Sequence, residues 1–117
     1  MARPNFIELP TRDLAASQCF FDQVFGMKMT GFGPTYACTL TGDVDLGLQA
    51  DPAEATKAPL PVIEVEDLET TLAAVMAAGA AVSKPIFSFP GGRRFHFLDP
   101  SGNELAAMQP DSVQVPY

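Results

Sequence analysis

One histidine, two cysteines and seven basic residues are all that 117 positions offer of the side chains that most often hold metals or phosphates. The cysteines, Cys19 and Cys38, lack metal-type spacing and read as reduced structural thiols. No G-x-x-x-x-G-K-[ST] or G-x-G-x-x-G stretch occurs, which excludes the common phosphate loops. A strained nucleophile elbow is also missing. Fourteen acidic residues against seven basic ones give a net charge of −7. Such a surface repels phosphate backbones, so no nucleic-acid partner is expected. The only adjacent basic pair is Arg93-Arg94. Apolar runs are too short to span a bilayer, so no membrane partner is expected either. The N-terminus enters a strand pattern at once, without a basic segment followed by an apolar one, and a cytoplasmic location is the expectation.

What the chain does have is enough apolar character, 47%, for a proper core. Its length fits one domain over 1–117. It also has an internal echo. Phe6 to Leu9 lead to Asp13-Leu14, a helical run and Gly26; Leu60 to Val65 lead to Asp67-Leu68, a helical run and Gly79. A repeat longer than ~50 residues is too long for a solenoid unit and points to a duplicated half-domain. The halves are read as 4–49 and 60–109, joined by the polar, proline-bearing stretch 50–59.

Each half reads as β-α-β-β-β. Asp13 and Asp67 are suited to cap helices, since a carboxylate accepts from the first free backbone N–H groups. Leu14, Phe20, Phe21, Val24 and Phe25 form an apolar stripe at near-helical spacing. Short strands are expected at 27–32, 35–41 and 44–49, then at 81–89, 93–98 and 103–109. Pro85 argues for an edge or a bulge in its strand. Arg94, His96 and Leu98 alternate with Phe95 and Phe97, which puts the two sets on opposite sheet faces. The tail from Pro110 to Tyr117 has no periodicity, and is expected to be loose or packed on a partner chain.

Three stretches, in order, carry a family resemblance. "DLAASQCFFDQVFGM" is similar to the D-L-x-x-S-x-x-F-Y-x-x-x-L-G signature of vicinal oxygen chelate proteins, and "VEDLETTLAAVMAAGA" resembles its second-half counterpart. "FHFLDPSGNELA" resembles the F-x-D-P-D-G-N-x-I-E-L close of the same superfamily, that of glyoxalase I, bleomycin-resistance and fosfomycin-resistance proteins and extradiol dioxygenases. The resemblance implies an α+β fold: two tandem βαβββ modules forming a curved eight-stranded mixed sheet around a cleft. It also implies a homodimer.

Enzymes of that superfamily hold a divalent metal on four central strands. Carried over, the ligand positions fall on Phe6, Leu60, Ala106 and the region Gly47–Gln49. None provides the imidazole or anionic oxygen that a divalent metal needs. The expectation is no metal and no cofactor, with a non-standard set of Glu8, Glu64, Glu104 and His96 kept as the alternative.

In the fosfomycin-resistance branch, polar residues five and three positions before the D-P-x-G aspartate contact ligand. Those places here are Arg94 and His96. A guanidinium there would read a carboxylate or phosphate. His96 is either a ligand-lining group or a hydrogen-bonded sheet residue, with acid–base catalysis a narrower option. Glu8 is either an ion pair with Arg94 or Arg12, or a base or amine acceptor. Glu8, Arg94, His96 and Glu64 are the candidate ligand-binding residues, and His96 and Glu8 the catalytic candidates. Phe87 and Phe89 read equally as a flap or as core. Three readings stay open: a metal-free dimeric binder of a small organic molecule; a glyoxalase-like lyase or isomerase using Glu8, Arg94 and His96, with or without an unusual metal; or a dimeric scaffold whose cleft is filled by its own side chains, Phe6 among them.

Overall fold

The computed structural model describes residues 2–111. The chain divides into two compact units, one of residues 5–61, the other of the described residues from Val62 onward with residues 2–4. The tail expectation falls largely outside the described residues.

The first module runs β1 (Arg3–Pro10), α1 (Leu14–Phe25), β2 (Thr30–Gly31), β3 (Tyr36–Cys38) and β4 (Asp45–Gln49). Its strands lie in the order β2-β3-β4-β1. β1 runs parallel to β4, and the other two pairs are antiparallel. The Asp13 carboxylate accepts from the Ala16 N–H at 3.0 Å and starts α1. Gly26 ends it with φ 68°, a left-handed conformation that a side chain would strain.

Two expectations needed correction in this module. The strand expected at 27–32 shrinks to Thr30–Gly31, because the Met27 N–H turns back to the Phe21 carbonyl at 3.2 Å. The strand expected at 35–41 stops at Cys38. Beyond it the Asp45 carboxylate accepts from the Thr39 hydroxyl and from the Thr41 and Gly42 N–H groups. A side chain closes that turn where a ladder was expected. The helical stripe on α1 forms as expected, with none of its residues buried, and Phe20, Phe21 and Phe25 pack on one another with ring centroids 5.3–6.3 Å apart.

The second module runs β5 (Leu60–Glu64), α2 (Leu68–Ala77), β6 (Val82–Phe89), β7 (Gly92–Leu98) and β8 (Glu104–Pro110). Its order is β5-β8-β7-β6, with β5 parallel to β8 and the rest antiparallel. Asp67 caps α2 by accepting from the Thr70 N–H at 3.0 Å, and the Leu68 N–H is taken by the Gln109 side chain at 2.8 Å. Val65, Leu68, Phe95 and Ala107 form a buried core, with Ile63, Leu72, Val75, Val82, Ile86 and Phe97 packed around it. Full burial of a side chain such as Phe95 contributes roughly 1.5–3 kcal/mol.

The class is α+β, with two βαβββ modules and eight strands in mixed pairing. Pro85 sits where β6 loses register with β7, between Lys84 and Phe87. A proline cannot donate to the ladder, and the extra residue is accommodated as a bulge.

Candidate ligand-binding face

The alternation along β7 decides which side chains face which way. Phe95 and Phe97 join the core beneath α2. Arg93 turns the same way and meets Glu69 of α2 through two guanidinium–carboxylate hydrogen bonds, one of them 3.0 Å. Arg94, His96 and Leu98 therefore take the opposite face.

Strand register extends that face into rows. His96 stands opposite Ala106 on β8 and Lys84 on β6, and Ala106 pairs with Val62 on β5. Arg94 stands opposite Met108 and Phe87, and Met108 pairs with Glu64. Glu64 thus shares the row of Arg94, two strands away, or about 10 Å at ~4.8 Å per strand. The β6 bulge has a consequence here. Lys84 and Phe87 are three residues apart and would face opposite ways in a regular strand, yet their partners His96 and Arg94 share one face.

His96 is fully buried, at 0% exposure. Its Nδ1 lies 2.9 Å from Glu104 Oε2, which also accepts from the Ser83 hydroxyl at 3.2 Å. The Phe87 ring is tilted against the imidazole, 5.7 Å between centroids. Nε2 is buried and meets no hydrogen-bond partner among the described residues. Burial pushes the imidazole below its ordinary pKa; the Glu104 hydrogen bond opposes this, and the Arg94 charge adds to it. Burial thus favours the neutral imidazole.

The Arg94 guanidinium carbon lies 5.3 Å from the Phe87 ring centroid and 5.5 Å from that of Phe89. Lys84 Nζ lies 5.5 Å from the Phe87 centroid. The two phenylalanines are half-buried and lie outside the buried core cluster. They form an apolar support that holds a cation by its π faces.

Glu8 belongs to the first module. It is buried, at 2% exposure, and its Oε1 accepts from the Tyr36 hydroxyl at 3.0 Å. Opposite it on β4 is Gly47. A Cβ at Gly47 would fall 2.5 Å from Phe6 Cζ and 2.7 Å from Tyr36 Oη. Glycine is what lets these two rings lie across the strand.

Arg94, His96 and Glu64 therefore lie on one face of the second module, and Glu8 lies in the first. Sequence reasoning missed Tyr36 as a hydrogen-bond partner of Glu8 and Glu104 as a hydrogen-bond partner of His96. The signal for Glu104 was present: it shares the parity of Ala106, which pairs with His96. For Tyr36 no local signal existed, because the contact spans 28 positions.

The positions expected to carry metal ligands do not fit a divalent ion. Phe6 and Gly47 offer no donor atom from their side chains, and neither do the fully buried Leu60 and Ala106. Among the described residues no three His, Cys, Asp or Glu side chains form a group that could hold a metal ion. Cys38 is buried, and burial raises its thiol pKa, which makes it a poor nucleophile. No helix among the described residues is long and apolar enough to cross a membrane.

A family model, Glyoxalase/Bleomycin resistance protein/Dioxygenase superfamily, matches residues 3–107. The chain belongs to that superfamily. It is 27% identical over 117 residues to "Putative glyoxylase CFP32" of Mycobacterium tuberculosis and of Mycobacterium bovis, covering 91% of this chain. The chain spans 45% of the length of those relatives. Among solved structures, a superfamily member from Vibrio splendidus aligns with a TM-score of 0.68 at 23% identity, over 93% of this chain and 99% of the other. The Mn(II)-bound glyoxalase from Novosphingobium aromaticivorans aligns with a TM-score of 0.69 at 18% identity, over 93% of this chain and 40% of that one. At these identities the likeness speaks for the fold.

Proposed function

We propose that this protein binds a small organic molecule on the Arg94–His96 face, without the divalent metal of the superfamily's enzymes, and does so as a homodimer. The observation that carries the reading is the Arg94 guanidinium, supported by Phe87 and Phe89 beside a buried His96. The usual ligand positions meanwhile hold Phe6, Leu60 and Ala106. An organised guanidinium next to apolar rings suits a carboxylate or phosphate attached to an apolar body. The acidic net charge would steer cations toward the surface, but steering acts on encounter and Arg94 acts on contact.

Elemental analysis of protein purified without chelator should find well under one Zn, Ni, Fe or Mn per chain. A thermal-shift screen of small carboxylates and phosphates should find stabilisers whose effect is lost in Arg94→Ala. A stoichiometric metal, or ligands indifferent to Arg94, would reject the reading.

The enzymatic reading is favoured by one observation, the Glu104–His96 pair. A carboxylate that fixes one imidazole nitrogen leaves the other poised to take a proton. Turnover that disappears in His96→Gln while ligand still binds would select it.

A further inference from the structure

The hydrogen bonding of His96 restricts what its ligand can be. We infer that the molecule bound on this face presents a hydrogen-bond donor, a hydroxyl or N–H, to His96 Nε2, alongside the anionic group that meets Arg94. This inference rests on the binding proposed above and adds a substrate class, a hydroxylated or amide-bearing small carboxylate.

A carboxylate is acceptor-only. Glu104 Oε2 already receives the Ser83 hydroxyl, so the proton in its 2.9 Å contact with His96 belongs to Nδ1. A neutral imidazole with Nδ1 protonated has only a lone pair on Nε2. That nitrogen can accept and cannot donate. It is also buried with no partner among the described residues. Leaving a buried acceptor unsatisfied is costly, and buried polar atoms in folded proteins almost always find a partner. Its strand and ring neighbours give it no donor. Phe87 packs against the ring, and Ala106 stands opposite on β8. Lys84, the cross-strand neighbour on β6, directs its ammonium to the Phe87 ring.

Arg94 lies two residues away on the same face and leans on the same Phe87 ring. A molecule that reaches both groups must offer opposite hydrogen-bonding characters at its two ends: acceptors for the guanidinium, a donor for the imidazole. An ether, a ketone or a second carboxylate at the imidazole end would set a lone pair against a lone pair. Because Nε2 is closed from solvent, the side chains that cover it must yield as the ligand enters.

The single histidine makes the test direct, because imidazole-¹⁵N labelling yields one pair of signals. In the free protein Nε2 should resonate as an unprotonated nitrogen and Nδ1 as a protonated one. The probes are mandelate, its O-methyl ether and mandelamide. Mandelate should shift the Nε2 signal and bind at least tenfold more tightly than the ether. Mandelamide, which keeps the hydroxyl and lacks the charge, should lose affinity that Arg94→Ala would otherwise remove. A protonated Nε2 in the free protein would overturn the inference without touching the binding proposal. So would equal affinity for mandelate and its ether in a protein that binds both. Absence of binding by these probes and by every compound of the wider screen would reject the binding proposal, and the inference with it.

Discussion

His96 Nδ1 and Glu104 Oε2 lie 2.9 Å apart, and this contact fixes the chemistry of the only histidine in the chain. It joins residues on neighbouring antiparallel strands, two residues from direct pairing: His96 faces Ala106, and Glu104 faces Leu98. The carboxylate favours a charged imidazole, but burial and the Arg94 and Lys84 charges outweigh it. The result is a histidine held neutral, oriented and stripped of water.

Stability should therefore depend on pH through His96. Its pKa is depressed in the folded state relative to 6.5, so between the two values the unfolded chain binds more protons. Stability from this group is present above pH ~6.5 and is lost as pH falls toward the folded-state value. Urea midpoints measured from pH 8 to pH 5 should fall on the acid side, and less so in His96→Gln. The groups that face His96 and act on its charge are Glu104, Arg94 and Lys84. Parallel profiles for the two proteins would contradict the assignment.

Glu104→Gln should leave the fold intact and disturb the imidazole. The amide can donate to Nδ1 as well as accept from it, so the Nδ1-protonated form loses its exclusive support. A mixture of tautomers in the ¹⁵N spectrum is expected, together with several-fold weaker binding of any donor-bearing ligand. An unchanged spectrum would mean that Glu104 does not set the ring.

Gly47→Ala should destabilise by about 1–3 kcal/mol, the range for overpacking a filled site. The added carbon would overlap the Phe6 and Tyr36 rings. Chemical denaturation should show the loss at unchanged m. Pairing it with Phe6→Leu, which makes room, should recover part of the stability. No loss would mean that Phe6 and Tyr36 do not lie across β4.

Asp67→Ala should cost about 1 kcal/mol, the usual worth of a helix N-cap. The Gln109 side chain still holds the Leu68 N–H, so α2 should remain formed. Adding Gln109→Ala should cost more than either change alone predicts, because the two side chains serve the same helix terminus. Purely additive effects would show that the caps act independently.

The exposed apolar face of α1, with Phe20, Val24 and Phe25 each more than half exposed, supports the proposed homodimer. Sedimentation equilibrium should give about twice the 12.5 kDa chain mass, shifting toward monomer in Phe20→Ser with Phe25→Ser. A monomer at micromolar concentration would remove the dimer from the proposal.

The sequence by itself determined what depends on neighbours along the chain. Caps at Asp13 and Asp67 and the stop at Gly26 are local hydrogen-bonding and φ preferences, legible without coordinates. The opposition of Phe95 and Phe97 to Arg94 and His96 follows from the period of two in a strand. The donorless side chains at Phe6, Leu60 and Ala106 were legible for the same reason: residue identity alone says what cannot ligate. Tertiary structure alone decided the partnerships. Tyr36 reaches Glu8 across 28 positions, and Glu104 meets His96 through register between two strands. The β6 bulge placed Phe87 beside Arg94 against the regular alternation. Pairing of this kind depends on which residues the sheet sets opposite one another, and register is a property of packing that no short stretch of sequence contains.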